Sequence, residues 1–245
     1  MTILRGGARH GAGPTHAISP PSQHSIWFDI GFTLLATLVA SFVLKTFVIQ
    51  SFYIPSQSME PTLLINDRVV VSKLAPGPLK VHRGDIVVFH DPGGWSDAVS
   101  ALPEDTGLGA WLHGFAQALG LAPSSSDDYL IKRVIGVAGD EVACESADAR
   151  LTVNGVPIDE TYTASGGCVA ATAGEGSFSV VVPPDAVWVM GDNRGDSLDS
   201  RYHQSDPLGG AVVLDDVVGV AQLRLWPPSR LALLRNPGAV FAPIP

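Results

Sequence analysis

The sequence predicts a mainly β protein that follows a single N-terminal transmembrane helix. The first observation is an apolar segment at 26–49, which carries no charge between residues 30 and 44. The second is a series of short β-branched runs along the rest of the chain, bounded by Gly, Pro, Asn or Asp. With 245 residues, 46% of them hydrophobic, and a mean hydropathy of +0.24, the chain is long and apolar enough to fold.

The apolar segment is long enough to cross a membrane, since 24 helical residues span roughly 36 Å and a hydrocarbon core measures about 30 Å. A buried core helix is one alternative, but residues 30–44 contain only Thr33, Thr37 and Ser41 as polar positions and leave no solvated side. A cleavable signal peptide is another, but residues 45–50 offer no small-x-small cleavage site. We therefore expect an uncleaved, single-pass anchor in the cell membrane, in contact with the lipid bilayer.

The charge distribution predicts the orientation of this anchor. Residues 1–28 contain Arg5 and Arg9 and no acid, whereas the rest of the chain carries 13 basic and 24 acidic residues. Positive-inside logic leaves residues 1–25 as a flexible cytoplasmic tail and exports the larger part. The acidic balance argues against a nucleic-acid partner.

The exported part, residues 50–235, is predicted as one β-rich domain. The hairpin signal is strongest at Val153-Asn154-Gly155-Val156, because Asn-Gly accepts positive φ in a tight turn. Residues 236–245 are expected to form a terminal tail. The predicted strands are 68–72, 85–89, 129–137, 150–153, 177–182, 187–190 and 217–225.

Residues 92–128 depart from this β pattern and are predicted as an insertion. The segment opens with Pro-Gly-Gly and ends with Ser-Ser-Ser-Asp-Asp. Between these ends, Trp111, Leu112, Phe115 and Leu119 recur at helical spacing, which indicates a short amphipathic helix.

The two cysteines, Cys144 and Cys168, both lie in the exported part and fit one disulfide in an oxidising compartment. A pair of unpaired buried thiols is the alternative. The chain contains no C-x-x-C or H-E-x-x-H pattern, so we expect neither a metal nor another cofactor.

A candidate nucleophile, Ser58, follows the apolar segment and needs a base to take its proton. No G-x-S-x-G elbow is present and no histidine has the flanking pattern of a catalytic one, although a Ser-His-Asp triad with His90 or His203 stays open. Lys132 is the other candidate. Strand alternation puts it on one face with Leu130 and Val134, where apolar surroundings disfavour an ammonium. Its ordinary alternative is a lysine that reaches water at the sheet rim.

Four segments in order resemble the motif boxes of type I signal peptidases, a family of bacterial Ser-Lys proteases. The similarity extends over about residues 45–230 and omits the insertion and the terminal tail. One short box is weak support, but four in order after an anchor are strong. The segments are P-S-Q-S-M-E-P-T-L (55–63), R-G-D-I-V-V-F (83–89), Y-L-I-K-R-V-I-G-V-A-G-D-E-V (129–142) and M-G-D-N-R-G-D-S-L-D-S-R (190–201).

The resemblance implies a role for each matching residue. It makes Ser58 the nucleophile and Lys132 the general base. Ser56 matches the hydroxyl of the oxyanion hole, and Ser197 matches the serine that orients the lysine amine. The supporting residues are Arg133, Asp199 and Arg201, which match charged residues of the site, and Asp192 and Asn193, which shape a turn.

The resemblance also implies the activity: a membrane-anchored endopeptidase that removes signal peptides from exported preproteins after small residues, through an acyl-enzyme and in contact with the export machinery. Ile54, Val88 and Ile135 are expected in the walls of its apolar substrate pockets. A self-cleaving repressor would carry a DNA-binding domain in place of the anchor. A non-enzymatic tethered β-domain would leave the four matching residues Ser56, Ser58, Lys132 and Ser197 without a reason.

Overall fold

The computed structural model describes residues 26–43, 47–95, 129–146, 149–163, 168 and 177–245. The predicted cytoplasmic tail at 1–25 and nearly all of the predicted insertion, including its helix, lie outside these residues. The chain divides into two units, residues 1–40 and residues 41–245.

Helix α1, Ile26–Val43, forms the described part of the first unit and ends just beyond it. Its apolar side chains, such as Trp27, Phe32 and Leu38, are exposed. Among the described residues, no helix has both the length and the apolar character that crossing a membrane requires. The helix also stops short of the predicted anchor end at 49, because Ile49 begins a strand that pairs with 68–72.

Two antiparallel sheets make up the second unit. The larger has eight strands in the order β1-β2-β11-β3-β4-β9-β10, with β12 paired to β11, and the smaller has the order β7-β6-β5-β8. The strands are β1 Ile49–Tyr53, β2 Arg68–Ser72, β3 Ile86–His90, β4 Tyr129–Val137, β5 Glu141–Cys144, β6 Thr152–Val153, β7 Val156–Pro157, β8 Phe178–Val181, β9 Ala186–Met190, β10 Val212–Val213, β11 Val217–Trp226 and β12 Ala232–Leu233.

The mainly β prediction is confirmed, and the predicted strands 68–72 and 129–137 coincide with β2 and β4. The hairpin is confirmed as well: Val153 pairs with Val156, and Asn154 and Gly155 take φ values of 53° and 75°. The predicted strands do not include β1, β5, β10 or β12. Two of these four, β10 and β12, are only two residues long, so pairing with neighbouring strands rather than local periodicity determines them.

Alternation along β3 explains how the larger sheet separates two apolar cores. Ile86 and Val88 belong to a core that also contains Met59 and Leu63 from the segment before β2. Val87 and Phe89 point to the opposite core. A strand with both faces buried reads as a continuous apolar run, as residues 86–89 do.

The C-terminal residues 236–245, expected to form a terminal tail, pack against the rest of the domain. Helix α2, Gly238–Phe241, follows Asn236, whose amide donates to the Arg83 carbonyl at 2.9 Å. Phe241 and Ile244 are buried in the core beneath the smaller sheet. Burial of these two apolar side chains holds the segment against the domain.

Candidate active site

Ser58 and Lys132, 74 positions apart in the chain, meet beside β4. The Lys132 amine donates to the Ser58 hydroxyl over 2.7 Å, and both residues are buried, 4% and 6% exposed respectively. Lys132 lies opposite Val87 of the neighbouring strand β3. The antiparallel pairing of β3 and β4 therefore fixes the position of Lys132, while the segment between β1 and β2 supplies Ser58.

Burial lowers the pKa of Lys132 from its ordinary value to about 8. Three carboxylates, Asp199, Asp192 and Asp196, act in the opposite direction, and Arg201 adds to the lowering. A fraction of the amines is consequently neutral near neutral pH and able to accept a proton. This is the property that a general base requires.

Ser56 lies two residues before the nucleophile, and its side-chain oxygen is 3.3 Å from that of Ser58. Only the Ser58 side is buried; Ser56 is exposed. The chain bends at Ser56 and Gln57 and turns at Ser58, and the 3.3 Å separation shows that both hydroxyls reach the same region. A carbonyl attacked by Ser58 would meet a hydroxyl donor there.

The segment 191–196, which contains a turn closed by the Asp196 N–H and the Asn193 carbonyl at 3.1 Å, packs directly against Ser58. The backbone N–H of Asn193 donates to the Ser58 carbonyl at 3.0 Å, and its side-chain amide donates to the Gln57 carbonyl at 3.2 Å. Gly191 has no room for a side chain, because a Cβ there would collide with the Ser197 side chain and the Ser58 carbonyl. Asn193 thus holds the Ser58 backbone in addition to lying in the predicted turn.

Two buried ion pairs flank the site. Arg133 donates to both oxygens of Asp192 at 2.7 and 2.6 Å, and to the Gly84 carbonyl at 2.8 Å. Arg201 donates to both oxygens of Asp199 at 2.8 and 2.9 Å. Burial alone would raise the pKa of Asp199, but Arg201 and further hydrogen bonds outweigh it, so the pKa falls and the carboxylate stays charged.

Ser197 is brought to the site but not to a partner. Its hydroxyl is buried, and within the described part of the chain it has no hydrogen bond. The orienting contact with Lys132 that the resemblance implies is therefore not formed in this structure. Buried polar groups are normally satisfied, so a vacant donor beside a reactive pair is unusual.

The two candidate histidines of a Ser-His-Asp triad, His90 and His203, contact residues other than Ser58. The His90 ring packs on Tyr129, with 4.6 Å between ring centroids. The His203 ring stacks on Trp95 at 4.4 Å, and its Nδ1 lies 3.6 Å from Asp206. The Ser58 hydroxyl contacts the side chains of Lys132 and Ser56.

The reactive pair opens into a cleft of about 460 Å³. Beside it lies a small apolar cavity of about 20 Å³, which Ile54 and Val88 help to line as predicted. Ile135, the third predicted wall residue, lies instead in the core beneath the smaller sheet. The cleft is lined by Pro55, Ser56, Gln57, Ser58, Ile65, Trp95, Leu130, Lys132, Asp196 and Leu198.

The structure joins Cys144 and Cys168 by a disulfide, with 6.3 Å between the Cα atoms. The Cys168 carbonyl accepts a hydrogen bond from Arg201 at 2.9 Å, which connects the smaller sheet to the site. Within the described residues, no group of three or more His, Cys, Asp or Glu side chains could hold a metal ion.

Four residues near the site, Glu160, Arg194, Tyr162 and Thr62, were not among the predicted site residues. Arg194 pairs with Glu160, Tyr162 donates to the same carboxylate, and Thr62 donates to Asp192 at 2.5 Å. The Arg194–Glu160 and Thr62–Asp192 contacts join positions 34 and 130 apart, so no local spacing indicates them. The available signal was that Arg194 and Thr62 lie within two of the motif boxes.

Comparison with known proteins gives consistent matches. A family model described as "Signal peptidase, peptidase S26" matches residues 27–226. Signal peptidase I of Mycobacterium tuberculosis is 36% identical over 231 residues, covering 88% of this chain and 78% of that protein. Probable signal peptidase I-2 of Synechocystis is 34% identical over 218 residues, covering 89% and 81%. A crystal structure of a signal peptidase I from Enterococcus faecalis matches with a TM-score of 0.35 and 23% identity, over 58% of this chain and 97% of that one.

Proposed function

Since this chain belongs to the signal peptidase family, peptidase S26, and is a serine endopeptidase of the bacterial type I class, we propose that it cleaves preprotein signal peptides with Ser58 as nucleophile and Lys132 as general base. The 2.7 Å hydrogen bond between the two side chains is the observation that carries this proposal. The lowered pKa of Lys132 supports it.

The first half of the reaction forms an acyl-enzyme. Lys132 takes the hydroxyl proton as the Ser58 oxygen attacks the carbonyl carbon before the cleavage site. The tetrahedral oxyanion receives a hydrogen bond from the Ser56 hydroxyl, which is 3.3 Å from the attacking oxygen in the free enzyme. The carbon–nitrogen bond then breaks, and the Lys132 ammonium gives its proton to the leaving amine.

The second half regenerates the enzyme. Lys132, now neutral again, takes a proton from water as the water oxygen attacks the ester carbon. The bond to the Ser58 oxygen breaks, the proton returns to that oxygen, and the cleaved signal peptide leaves with a carboxylate.

The remaining site residues are proposed to position this machinery. Asn193 fixes the backbone of Ser58, and the Arg133–Asp192 and Asp199–Arg201 pairs hold the two ends of the 191–197 segment. We assign Ser197 to the orientation of the Lys132 amine in the substrate complex, where its vacant hydroxyl would gain a partner. The small cavity beside Ile54 and Val88 fits the small side chains expected before the cut.

We also propose that segment 26–49 attaches the enzyme to the cell membrane, with residues 1–25 in the cytoplasm and the catalytic domain on the other side. The exposed apolar side chains of α1 support attachment to lipid. This arrangement would bring the cleft to preproteins that the export machinery delivers.

Cleavage of a preprotein by the purified full chain in detergent micelles tests the proposed dyad. We expect Ser58→Ala and Lys132→Ala each to abolish cleavage, with circular dichroism unchanged. Lys80→Ala removes an exposed lysine and serves as the matched control, with normal activity. Normal cleavage by Lys132→Ala would contradict the dyad, and loss of cleavage in His203→Ala would favour a histidine base.

A further inference from the structure

Arg194 and Glu160 form an ion pair that is sealed from water. The Arg194 side chain is fully buried and that of Glu160 is 2% exposed. One guanidinium nitrogen donates to a Glu160 oxygen at 2.6 Å, the other contacts its second oxygen, and the Tyr162 hydroxyl donates to that oxygen at 2.6 Å. Burial lowers the pKa of Arg194, but Glu160 more than offsets it, so the guanidinium stays charged.

The same guanidinium reaches the turn that holds the nucleophile. The Arg194 Nε donates to the Gly191 carbonyl at 3.0 Å, while the Gly191 N–H donates to Asp199 at 2.9 Å. Gly191 is thus held by side chains through both its N–H and its carbonyl. Its backbone lies against the Ser58 carbonyl with no room for a Cβ, so a shift of this turn is transmitted to Ser58.

The hydrogen bonds from Arg194 to Glu160 orient the Arg194 side chain. Glu160 follows β7 of the smaller sheet, on a part of the chain separate from the catalytic strands. Through Tyr162, whose ring lies 4.1 Å from the Arg133 guanidinium, it also contacts the second ion pair of the site. One carboxylate therefore braces both Arg194 and the surroundings of Arg133.

We propose that Glu160 is a positioning residue for the cleavage reaction, which through Arg194 fixes the Gly191 carbonyl and the turn that holds Ser58. This rests on the proposed roles of Ser58 and Lys132. A displacement of about 1 Å in a reacting group can lower a rate roughly 10²-fold, so a brace of this kind affects turnover more than substrate binding.

The alternative is an ion pair that only stabilises the fold, and a pair of variants separates the two. Glu160→Met alone leaves the buried Arg194 guanidinium without its carboxylate and is strongly destabilising. Glu160→Met combined with Arg194→Met removes both charges and relieves that penalty. The double variant also removes the side chain that donates to the Gly191 carbonyl. Stability should recover in the double variant while the cleavage rate should not.

The experiment measures kcat and KM for a preprotein, per folded enzyme, with the full chain in detergent and the melting temperature determined in parallel. For both variants we expect kcat to fall by about 10- to 100-fold and KM to change by less than about threefold. The pH midpoint of cleavage should also move above that of the wild type, since a looser turn admits water to Lys132. Asp140→Asn, which weakens the separate Arg83–Asp140 pair, should lower the melting temperature and leave kcat unchanged.

A double variant that recovers its melting temperature and also cleaves at the wild-type rate would overturn the proposal. If Glu160→Met does not fold, Glu160→Gln keeps the shape and removes the charge, and a wild-type kcat in that variant is equally decisive. Different results would contradict the proposed function: wild-type enzyme that does not cleave the preprotein, or Ser58→Ala enzyme that does.

Discussion

Lys132 and Arg133 are consecutive buried cations on opposite faces of strand β4, and they differ in their hydrogen-bond partners. Lys132 lines the cleft and donates to a neutral hydroxyl, whereas Arg133, on the other face, is bonded to both oxygens of Asp192. The two residues are 4% and 2% exposed, so burial is the same for both. Burial lowers the pKa of Lys132 to about 8, whereas a carboxylate bonded through both oxygens compensates the buried charge of Arg133.

Methionine at each position should break this comparison most strongly. Lys132→Met should lower kcat by as much as about 10⁶-fold, the loss seen when a serine protease loses its base. Arg133→Met leaves the base in place and should lower kcat by about 10- to 100-fold through misplacement. Cleavage of a preprotein by the purified variants measures both effects.

Stability should change in the reverse order. Arg133→Met leaves Asp192 buried without its partner and should lower the free energy of unfolding by about 3–5 kcal/mol. Lys132→Met removes a buried amine and should raise it at pH 7. A stabilised Arg133→Met or a destabilised Lys132→Met, in denaturant titrations, would show that the two faces do not differ as described.

Hydroxyl groups lie near the Lys132 amine, whereas a carboxylate binds Arg133. Ser56→Ala tests whether cleavage depends on one of these hydroxyl groups. Loss of the oxyanion donor should lower kcat by about 10²- to 10³-fold, with KM little changed. Ser179→Ala removes an exposed hydroxyl of β8 and is the matched control, with normal kcat. An unchanged kcat in Ser56→Ala would remove Ser56 from the oxyanion hole.

The sequence predicted the Lys132 face better than the Arg133 face, for a physical reason. Alternation along β4 makes Lys132 a candidate base, and the family resemblance favours it over a lysine at the sheet rim. The carboxylate that neutralises a buried arginine depends on folding: Asp192 is 59 positions from Arg133, and Glu160 is 34 from Arg194. Long-range pairing of this kind has no periodicity that a single sequence displays.

Local and non-local signals separate in the same way across the fold. The Asn154-Gly155 hairpin follows from turn chemistry alone and was predicted correctly. The burial of Phe241 and Ile244 depends on an apolar surface formed by the smaller sheet, and the segment was therefore expected to be a tail. The Ser58–Lys132 contact spans 74 positions, so strand facing and family resemblance together were needed to predict it.

The pH dependence sharpens the comparison with a smaller effect. The pKa of Lys132 falls from 10.5 in the unfolded chain to about 8 in the fold, so the unfolded state holds one more proton between these values. The free energy of unfolding should therefore rise with pH across this window, by up to roughly 1.4 kcal/mol per pH unit relative to Lys132→Met. Below pH 8 the burial penalty is fully present.

Cleavage should follow the same group, with kcat/KM rising through pH 8 and levelling above it. Arg133→Met should keep this stability slope, since Lys132 is still present in that variant. A midpoint of cleavage near 6.5 that disappears in His203→Ala would instead assign the base to a histidine.

The disulfide should have the smallest effect on the rate, because it reaches Lys132 through two intermediates. The Cys168 carbonyl accepts a hydrogen bond from Arg201, and Arg201 forms an ion pair with Asp199. The charge of Asp199 in turn raises the pKa of Lys132. In Cys144→Ser/Cys168→Ser we expect kcat to fall by less than about tenfold, or about 1.4 kcal/mol in activation free energy. The midpoint of cleavage should rise slightly, because a looser Arg201 neutralises Asp199 less. A fall as large as that of Ser56→Ala would mean that the disulfide holds the hydroxyl groups themselves.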